Sequence, residues 1–295
     1  MTWLEQFPTL GDERLSSLRQ TVDAGFLGFA RDYGEALELM FKPLKQFLIG
    51  VEHLLSVTPW FVVLLGVLLV TIYATRSWKY TFWAVAAFIF IGAFGMWDNT
   101  MKTLAMILAA TIITILIGFP LGILLSRSNR LEKVFNPVMD VMQTLPSFVY
   151  LIPVVMLLGI GRVPGLIAVI IYALPPMIRL TNLGLRMVPK ELNETADSFG
   201  ASTWQKIFQV QLPVALPTIM AGLNQTIMLA LAMVVIAAMI GVPGLGQPVL
   251  RAINNQYFTL GILNGSAIVI LAMLFDRVTQ MYGKRLQKHL GAGDE

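Results

Sequence analysis

The feature that most constrains this chain is a set of seven apolar runs. A helix needs about 20 mostly apolar residues to cross the hydrocarbon core of a bilayer. Only helices or closed barrels satisfy the backbone hydrogen bonds in lipid, and these long runs lack the alternation of a barrel strand. They therefore predict an all-α membrane protein with seven transmembrane helices. The predicted spans are Pro59–Thr75, Thr81–Trp97, Thr103–Leu125, Val138–Ile160, Val163–Ile178, Val214–Ile240 and Phe258–Phe275.

Composition excludes several classes of protein. Of the 295 residues, 56% are hydrophobic and 13% are charged, whereas about 25% of the residues are charged in a typical soluble domain. An ordinary soluble, disordered or nucleic-acid-binding protein is therefore excluded. The chain has no cysteine, and its two histidines, His53 and His289, lie near opposite ends. We expect no catalytic residues and no metal ligands, because neither a thiol nor a histidine cluster is available.

The distribution of lysine and arginine predicts the orientation in the membrane. One set of span ends carries thirteen of these residues, whereas the short loops on the opposite side carry only Lys102, Arg162 and Arg251. The positive-inside rule places the richer side in the cytoplasm. Seven spans then leave the C-terminal tail, 279–295, inside and the N-terminal tail, 1–58, outside. The thirteen residues are Arg76, Lys79, Arg127, Arg130, Lys133, Arg179, Arg186, Lys190, Lys206, Arg277, Lys284, Arg285 and Lys288.

The N-terminal tail contains a predicted amphipathic helix. From Ala36 to Leu55, apolar residues recur at helical spacing while charged and polar residues occupy the other face. A helix of this kind lies in the membrane interface rather than crossing the bilayer. Pro43 is expected to break or kink it.

The spans carry no Asp, Glu, Lys, Arg or His in their middle. Proton-coupled carriers and voltage sensors depend on ionisable groups inside the membrane. Their absence argues against both classes, and also against intramembrane hydrolysis by paired carboxylates. The chain is therefore interpreted as a non-catalytic protein whose path, if it forms one, is neutral.

A long cytoplasmic loop, 181–213, separates the fifth and sixth spans and is predicted to hold two short helices. Pro189 suits the first position of a helix, and Gly200 suits the residue just after its end. Ser202 and Gln205 have the spacing of a capping box for the second helix. A solvated loop with a charged face is the simpler alternative. The first helix bears an acidic stripe of Glu191, Glu194 and Asp197.

The same loop carries a recognisable motif. Residues 194–196 (Glu-Thr-Ala), Gly200 and residues 212–213 (Leu-Pro) resemble the E-A-A-x-x-x-G-(x9)-I-x-L-P motif of binding-protein-dependent ABC importer permeases. Thr195 replaces the first alanine, and Val210 replaces the isoleucine. The resemblance implies a type I ABC importer transmembrane fold, in which this loop forms a coupling helix that inserts into the ATP-hydrolysing subunit. The coupling residues that it implies are Glu191, Glu194, Ala196, Asp197, Gly200 and Ala201.

Other segments resemble, more narrowly, the permeases for glycine betaine, proline betaine and choline. The similarity to ABC permeases covers roughly 99–278, so residues 59–98 are interpreted as two peripheral helices outside that core. The segments are 96–101 (Met-Trp-Asp-Asn-Thr-Met), 143–150 (Gln-Thr-Leu-Pro-Ser-Phe-Val-Tyr), 172–181 (Tyr-Ala-Leu-Pro-Pro-Met-Ile-Arg-Leu-Thr), 224–226 (Asn-Gln-Thr) and 241–246 (Gly-Val-Pro-Gly-Leu-Gly).

The resemblance also implies partners. The sequence contains no G-x-x-x-x-G-K-[ST] phosphate-binding loop, so ATP and Mg²⁺ would be bound by a separate cytoplasmic ATPase and this chain needs no cofactor. Family members receive their solute from an external binding protein and work as a pair of permeases with a pair of ATPases. We therefore expect a permease homodimer in the inner membrane of a bacterium, in contact with membrane lipid and not with nucleic acid.

A translocation path for such solutes would use aromatic faces, because a methylated ammonium has no N–H donor and is held by cation–π contacts. Aromatic residues at span ends, such as Trp97, are also typical of the interfacial belt. Amide side chains can equally bond between helices. The path candidates are Gln143, Pro146, Phe148, Tyr150, Tyr172, Asn224 and Gln225.

Two alternatives to a quaternary-amine permease are open at this stage. The same machine could serve another small solute, such as an amino acid or an oxyanion, although no basic ring suggests an anion. The chain could instead be a channel or an ATP-independent carrier. That alternative explains the spans but gives the capped acidic loop no purpose.

Overall fold

The computed structural model describes residues 11–289, and the side chains of residues 11–286, as a bundle of helices without strands in that part of the chain. A 3₁₀ turn, Ser147–Tyr150, precedes α6, a π-helical segment, Lys206–Gln211, follows α9, and a second 3₁₀ turn, Ala238–Ile240, follows α10. The helices are α1 Asp12–Val57, α2 Trp60–Thr75, α3 Trp78–Ala93, α4 Trp97–Arg127, α5 Asn129–Thr144, α6 Leu151–Leu158, α7 Arg162–Arg186, α8 Lys190–Ser198, α9 Thr203–Gln205, α10 Leu212–Ala237, α11 Gly246–Asn255 and α12 Phe258–His289.

The centre of the bundle is α7, which packs along α4 on one side and α10 on the other. Glycines allow both approaches. A Cβ on Gly122 would lie 2.5 Å from the Cβ of Thr181, and a Cβ on Gly222 would lie 2.9 Å from the Cβ of Leu180. The G-x-x-x-G pair of Gly118 and Gly122 thus makes the close helix contact that its spacing permits.

Within residues 11–289, apolar length supports between four and six crossings, so the predicted number of seven is not fully confirmed. Four helical segments are long and apolar enough alone: Trp97–Arg127, Arg162–Arg186, Thr203–Ile240 and Phe258–Leu286. Two more pass only as bent pairs, α1 with α2 and α5 with the segment 147–158. The shorter α3 has 16 residues.

The predicted span Val138–Ile160 is wrong as a single straight crossing. The chain turns by 108° between α5 and the segment Ser147–Leu158. Leu145 is extended, with φ −63° and ψ 132°, and Pro146 follows with ψ 133°. A residue before proline is pushed out of the helical region by the proline ring, and this ends α5.

The N-terminal helix is longer than its apolar periodicity indicates. It begins at Asp12 rather than near Ala36 and continues through Pro43 without a break. It packs on α4, α6 and α7, with Leu48 only 1% exposed. Its Glu52 lies 3.2 Å from Arg162 at the start of α7. The chain turns by 105° between α1 and α2.

Three features share one end of the bundle. The last turns of α12 run toward the start of α10, because Thr279 donates a hydrogen bond to the Oδ1 of Asn224 at 2.5 Å and Gly283, further along α12, lies against Met220. The end of α2 joins them, since Arg285 donates to the backbone oxygen of Tyr73 at 2.9 Å. The segment between α7 and α10, which contains the predicted coupling residues, therefore lies at the same end as the C-terminal turns of α2 and α12.

Candidate functional site

The segment between α7 and α10 is shorter than the predicted loop, because α7 continues to Arg186. We call residues 187–211 the coupling loop. Its first helix, α8, starts at Lys190 after Pro189 and ends where Gly200 adopts a φ of +72°. Gly200 donates to the oxygen of Asp197 at 2.9 Å, and Ala201 to that of Ala196 at 3.0 Å. The left-handed residue needs glycine here, as the sequence predicts.

The second helix begins with the capping box that its sequence predicts. The backbone N–H of Gln205 donates to the hydroxyl of Ser202 at 3.3 Å. In return, the backbone N–H of Ser202 donates to the Oε1 of Gln205 at 2.8 Å. Both helix ends of the coupling loop are therefore fixed by local bonds.

Two side-chain contacts brace α8 against the π-helical segment. Lys206 donates to both carboxylate oxygens of Asp197, at 2.6 and 2.8 Å. Gln211 donates to the Oδ1 of Asn193 at 2.7 Å. Because the π-helical segment leads directly into α10, the coupling loop is joined firmly to that helix.

The six predicted coupling residues have different surroundings. Glu191 and Glu194 are exposed, and Asp197 is exposed but paired with Lys206. Ala196 is buried and Ala201 is half-buried. Glu191 and Glu194 are thus the two acidic side chains of α8 that face outward without an ion pair inside the described chain.

Sequence reasoning missed an aromatic patch on the coupling loop. Phe199 is 87% exposed, Trp204 is 66% exposed and Phe208 is 50% exposed. The rings of Trp204 and Phe208 stack with their centroids 5.8 Å apart. Large apolar side chains that project from a polar loop indicate an interaction surface. The spacing of four residues between Trp204 and Phe208, after a capping box, is the signal that marks them.

A polar network holds the base of the coupling loop. Arg186, the last residue of α7, donates to the backbone oxygen of Leu125 at 2.9 Å and to the Oδ1 of Asn129 at 2.6 Å. It also lies 3.1 Å from the carboxylate of Glu132. One guanidinium therefore ties the end of α4, the start of α5 and the end of α7 into one unit.

Among the path candidates, the structure brings Tyr150 and Tyr172 together. Their rings meet edge to face with centroids 5.8 Å apart. The buried hydroxyl of Tyr150 donates to the backbone oxygen of Met142. That bond spans the bend at Pro146, so Tyr150 closes the break between α5 and α6.

The other path candidates divide into bonded and exposed residues. Asn224 donates to Asp276 at 2.9 Å and accepts from Thr279, so it bonds between α10 and α12. Gln143, Pro146, Phe148 and Gln225 are exposed on this chain. Trp97 packs edge to face on Phe88, with centroids 6.2 Å apart, inside the bundle.

A stripe of exposed residues runs along α10. Its spacing of three to four residues places the side chains on one helix face. Gln225 makes no side-chain hydrogen bond within the described part of the chain, although it lies in the middle of an apolar helix. The stripe consists of Ala221, Gln225, Met228 and Ala232.

Curated proteins that are similar to this chain include transport system permeases. The chain is 56% identical over 200 residues to the glycine betaine/proline betaine transport system permease protein ProW of Escherichia coli. The aligned residues make up 68% of this chain and 56% of that protein. It is 49% identical over 210 residues to the glycine betaine/carnitine transport permease protein GbuB of Listeria monocytogenes, covering 71% of this chain and 74% of that one. The chain thus spans little more than half the length of the E. coli relative.

Among solved structures, the fold resembles the methionine ABC transporter MetNI in an inward-facing conformation. The TM-score is 0.56 at 23% identity, over 64% of this chain and 93% of the matched chain. This likeness shows a type I ABC importer permease fold. Residues 115–288, including the coupling loop, match the family described as binding-protein-dependent transport system inner membrane component. The chain therefore belongs to that family of multi-pass inner-membrane permeases.

Proposed function

We propose that this chain is the transmembrane subunit of an ATP-driven importer for quaternary ammonium osmolytes such as glycine betaine, proline betaine and choline. The observation that carries the proposal is the braced coupling loop with its exposed aromatic patch. This chain does not hydrolyse ATP itself, because a separate cytoplasmic ATPase does so. The family and the substrates named for ProW and GbuB support the assignment.

The coupling loop has the physical properties of a docking element. Its aromatic patch, Phe199, Trp204 and Phe208, is the kind of apolar surface that fills a groove on a partner. Exposed Glu191 and Glu194 add charge at the edge of that surface. The ATPase holds this loop, and closure of the ATPase dimer on ATP moves it.

Motion of the coupling loop reaches the bundle through two connections. On one side the loop follows Arg186, whose network joins α4, α5 and α7. On the other side, the π-helical segment joins it to α10. Because α7 and α10 pack closely at Gly222, the two helices respond together. Differential contacts of the loop in the two ATPase states then shift the bundle between inward-facing and outward-facing forms.

The exposed stripe of α10 supports a homodimer. A primary amide that faced hydrocarbon without a partner would cost several kcal/mol, on the order of 4–8 by transfer to an alkane. Gln225 therefore faces a second copy of this chain across a polar path rather than lipid. The small neighbours Ala221 and Ala232 leave room for a solute between the two copies.

The orientation follows from the same assignment. The coupling loop must face the cytoplasm to reach the ATPase, and the ends of α2 and α12 lie at that end of the bundle. The excess of lysine and arginine at these ends agrees with the positive-inside rule. The C-terminus is then cytoplasmic, and the external binding protein docks at the opposite end.

The test is solute-dependent ATP hydrolysis in liposomes that hold this chain with its ATPase. The external binding protein is added with glycine betaine, choline or carnitine in separate reactions, and without solute as the control. Stimulation by one of these solutes is the expected result. No stimulation by any solute, with the complex intact, would refute the quaternary-amine substrate, and failure to assemble with an ATPase would refute the coupling-loop assignment.

A further inference from the structure

A groove opens on the periphery of the bundle, between α3 and α12. Its volume is 620 Å³, within the order of 300–1,000 Å³ that is typical of small-molecule sites. Helix α2 packs against both α3 and α12, whereas α3 and α12 contact each other little. The small side chains of Ala84, Ala86 and Ala87 hollow the α3 wall. The groove therefore exists because α2 holds the other two helices apart.

The length of the groove matches one leaflet of a bilayer. Its wall on α12 runs from Ser266 to Val278, which at 1.5 Å per residue is about 18 Å. One leaflet contributes about 15 Å of the roughly 30 Å hydrocarbon core. The groove thus has the length of an acyl chain in a single leaflet, and not that of a whole crossing.

Three hydroxyls in the groove walls are already bonded within the chain. Thr71 donates to the oxygen of Val67 at 2.7 Å, and Thr75 donates to the oxygen of Thr71 at 2.7 Å. Ser266 donates to the oxygen of Leu263 at 2.7 Å. With these hydroxyls occupied, the walls offer mainly hydrocarbon contacts, and the remaining polar groups belong to Tyr80, Trp83 and Arg277. An apolar chain fits such walls, whereas a hydrophilic solute would lose its hydration without replacement.

Positive charge gathers at one end of the groove. Arg277 lines it at the end nearest the coupling loop, and it has no carboxylate partner within the described residues. The neighbouring carboxylate, Asp276, is bonded to Asn224 and Gln280 instead. The α2–α3 turn and the last turns of α12 add basic residues, and residues 76–80 and 277–286 contain no acid. The added basic residues are Arg76, Lys79, Lys284 and Arg285.

We propose that this groove holds one acyl chain of an anionic phospholipid, whose headgroup phosphate contacts Arg277. The apolar walls, the length of one leaflet and the basic end together select this occupant. A basic residue near an anionic headgroup contributes about fivefold in affinity. The choice of the cytoplasmic leaflet rests on the proposed function, because it takes the coupling-loop end as the inner one.

The test measures retained lipid by native mass spectrometry of the purified permease, alone and with its ATPase. After delipidation, phosphatidylglycerol or the zwitterionic phosphatidylethanolamine is added back. We expect one tightly held phosphatidylglycerol per chain. Ala87→Phe, which fills the groove, should weaken its binding at least tenfold. Arg277→Gln should weaken phosphatidylglycerol about fivefold and phosphatidylethanolamine less, because the ammonium of phosphatidylethanolamine offsets the charge of its phosphate.

Matched variants separate the groove from general lipid contact. Ala93→Phe places the same ring on an exposed position of α3 outside the groove, and Arg251→Gln removes a basic residue on α11. Both should retain phosphatidylglycerol like the wild type. Arg277→Gln changes an exposed side chain, so it keeps the test valid if Ala87→Phe fails to fold.

Three results would overturn the proposal. They are no retained lipid on the wild type, equal affinity for the two phospholipids, and disulfide cross-linking of a Trp83→Cys variant to a second copy. The last is decisive because the chain has no cysteine of its own. Loss of lipid retention with the ATPase complex intact would reject the groove alone. Retained lipid without ATPase assembly would reject the proposed function alone.

Discussion

The coupling loop and the bent segment 129–158 both depart from the straight apolar helices of the bundle. In the coupling loop, a capping box, an ion pair and an amide pair fix a compact shape while three aromatic rings project outward. In the bent segment, a proline ends α5, and one tyrosine hydroxyl closes the gap. The polar groups of the coupling loop bond to one another and make the loop rigid, whereas its aromatic rings are exposed and available to a partner. The bent segment is instead held from outside, because Arg179 and Arg186 of α7 pair with Asp140 and Glu132 of α5.

The largest expected effect breaks the coupling loop at its turn. Gly200→Val places a β-branched residue at a φ of +72°, where such residues are strained by about 1–3 kcal/mol. No atom lies within 4 Å of the added Cβ, so the change acts on the turn and not on packing. We expect binding-protein-stimulated ATP hydrolysis to fall to its unstimulated level while membrane insertion is normal.

Gly66→Val is the matched control for that variant. Gly66 lies in α2 with a helical backbone and with no atom within 4 Å of its added Cβ. Gly66→Val should leave the stimulation of ATP hydrolysis within about twofold of wild type, since exposed substitutions change stability by about 0.5 kcal/mol or less. Normal stimulation in Gly200→Val would show that the turn has no part in coupling.

The next effect concerns the aromatic patch. Trp204→Ala should weaken ATPase binding about 30-fold, because a buried aromatic anchor contributes about 2 kcal/mol or more at an interface. Phe148→Ala removes an exposed aromatic ring, 56% exposed, from the bent segment and should leave that affinity unchanged. Titration of the purified ATPase against the permease in detergent measures both. Equal losses of affinity in the two variants would show that the coupling loop binds the ATPase no more specifically than the bent segment does.

A smaller effect is expected in the bent segment. Tyr150→Phe removes the hydroxyl that bonds the Met142 oxygen and leaves a buried acceptor unpaired, at a cost of about 1–3 kcal/mol. The midpoint of thermal unfolding in detergent should fall by several degrees. Tyr172→Phe should not lower it, because the hydroxyl of Tyr172 makes no hydrogen bond in the described chain. An unchanged midpoint for Tyr150→Phe would mean that the bend is held by packing alone.

The smallest effect belongs to the ion pair of the coupling loop. A double-mutant cycle with Asp197→Asn and Lys206→Gln should give a coupling energy of about 0.5–1 kcal/mol, since Asp197 is largely exposed. The pair of Asp98 and Lys102 on α4 is a comparison within one helix and should give about 0.3–0.5 kcal/mol. Hydrogen exchange of α8 and of α4 reports each cycle. A zero coupling energy at Asp197 would leave Gln211 and Asn193 as the main brace.

The sequence predicts the coupling loop well because its determinants are local. Gly200, Ser202 and Gln205 act on neighbours within three or four residues, and spacing along the chain is enough to recognise them. The exposure of the side chains cannot be predicted from this local spacing. Nothing in the local pattern shows that Phe199 projects outward while Ala196 faces inward, because burial depends on how α8 packs on the π-helical segment.

The bent segment and the path show where sequence reasoning fails. A hydropathy window averages across Pro146, so the apolar run on both sides conceals the 108° turn. The sequence alone leaves Asn224 equally suited to the path and to bonding between helices. Its partners, Asp276 and Thr279, are more than fifty residues away along the chain, so only the folded bundle shows that it is bonded.

The π-helical segment Lys206–Gln211 has a consequence for the phase of α10. A π-helix bonds from residue i to i+5 and so accommodates an extra residue in its turn. Successive residues of an α-helix are rotated about the helix axis by about 100°. Inserting one residue into α10 before Gln225 would rotate Gln225 by about that angle and move it off the exposed stripe. Deleting one residue from 206–211 would instead let the segment close as an ordinary α-helix, and α10 would keep its angular phase. The π-helical segment is therefore the place where the chain can lose a residue without changing which face of α10 carries Gln225.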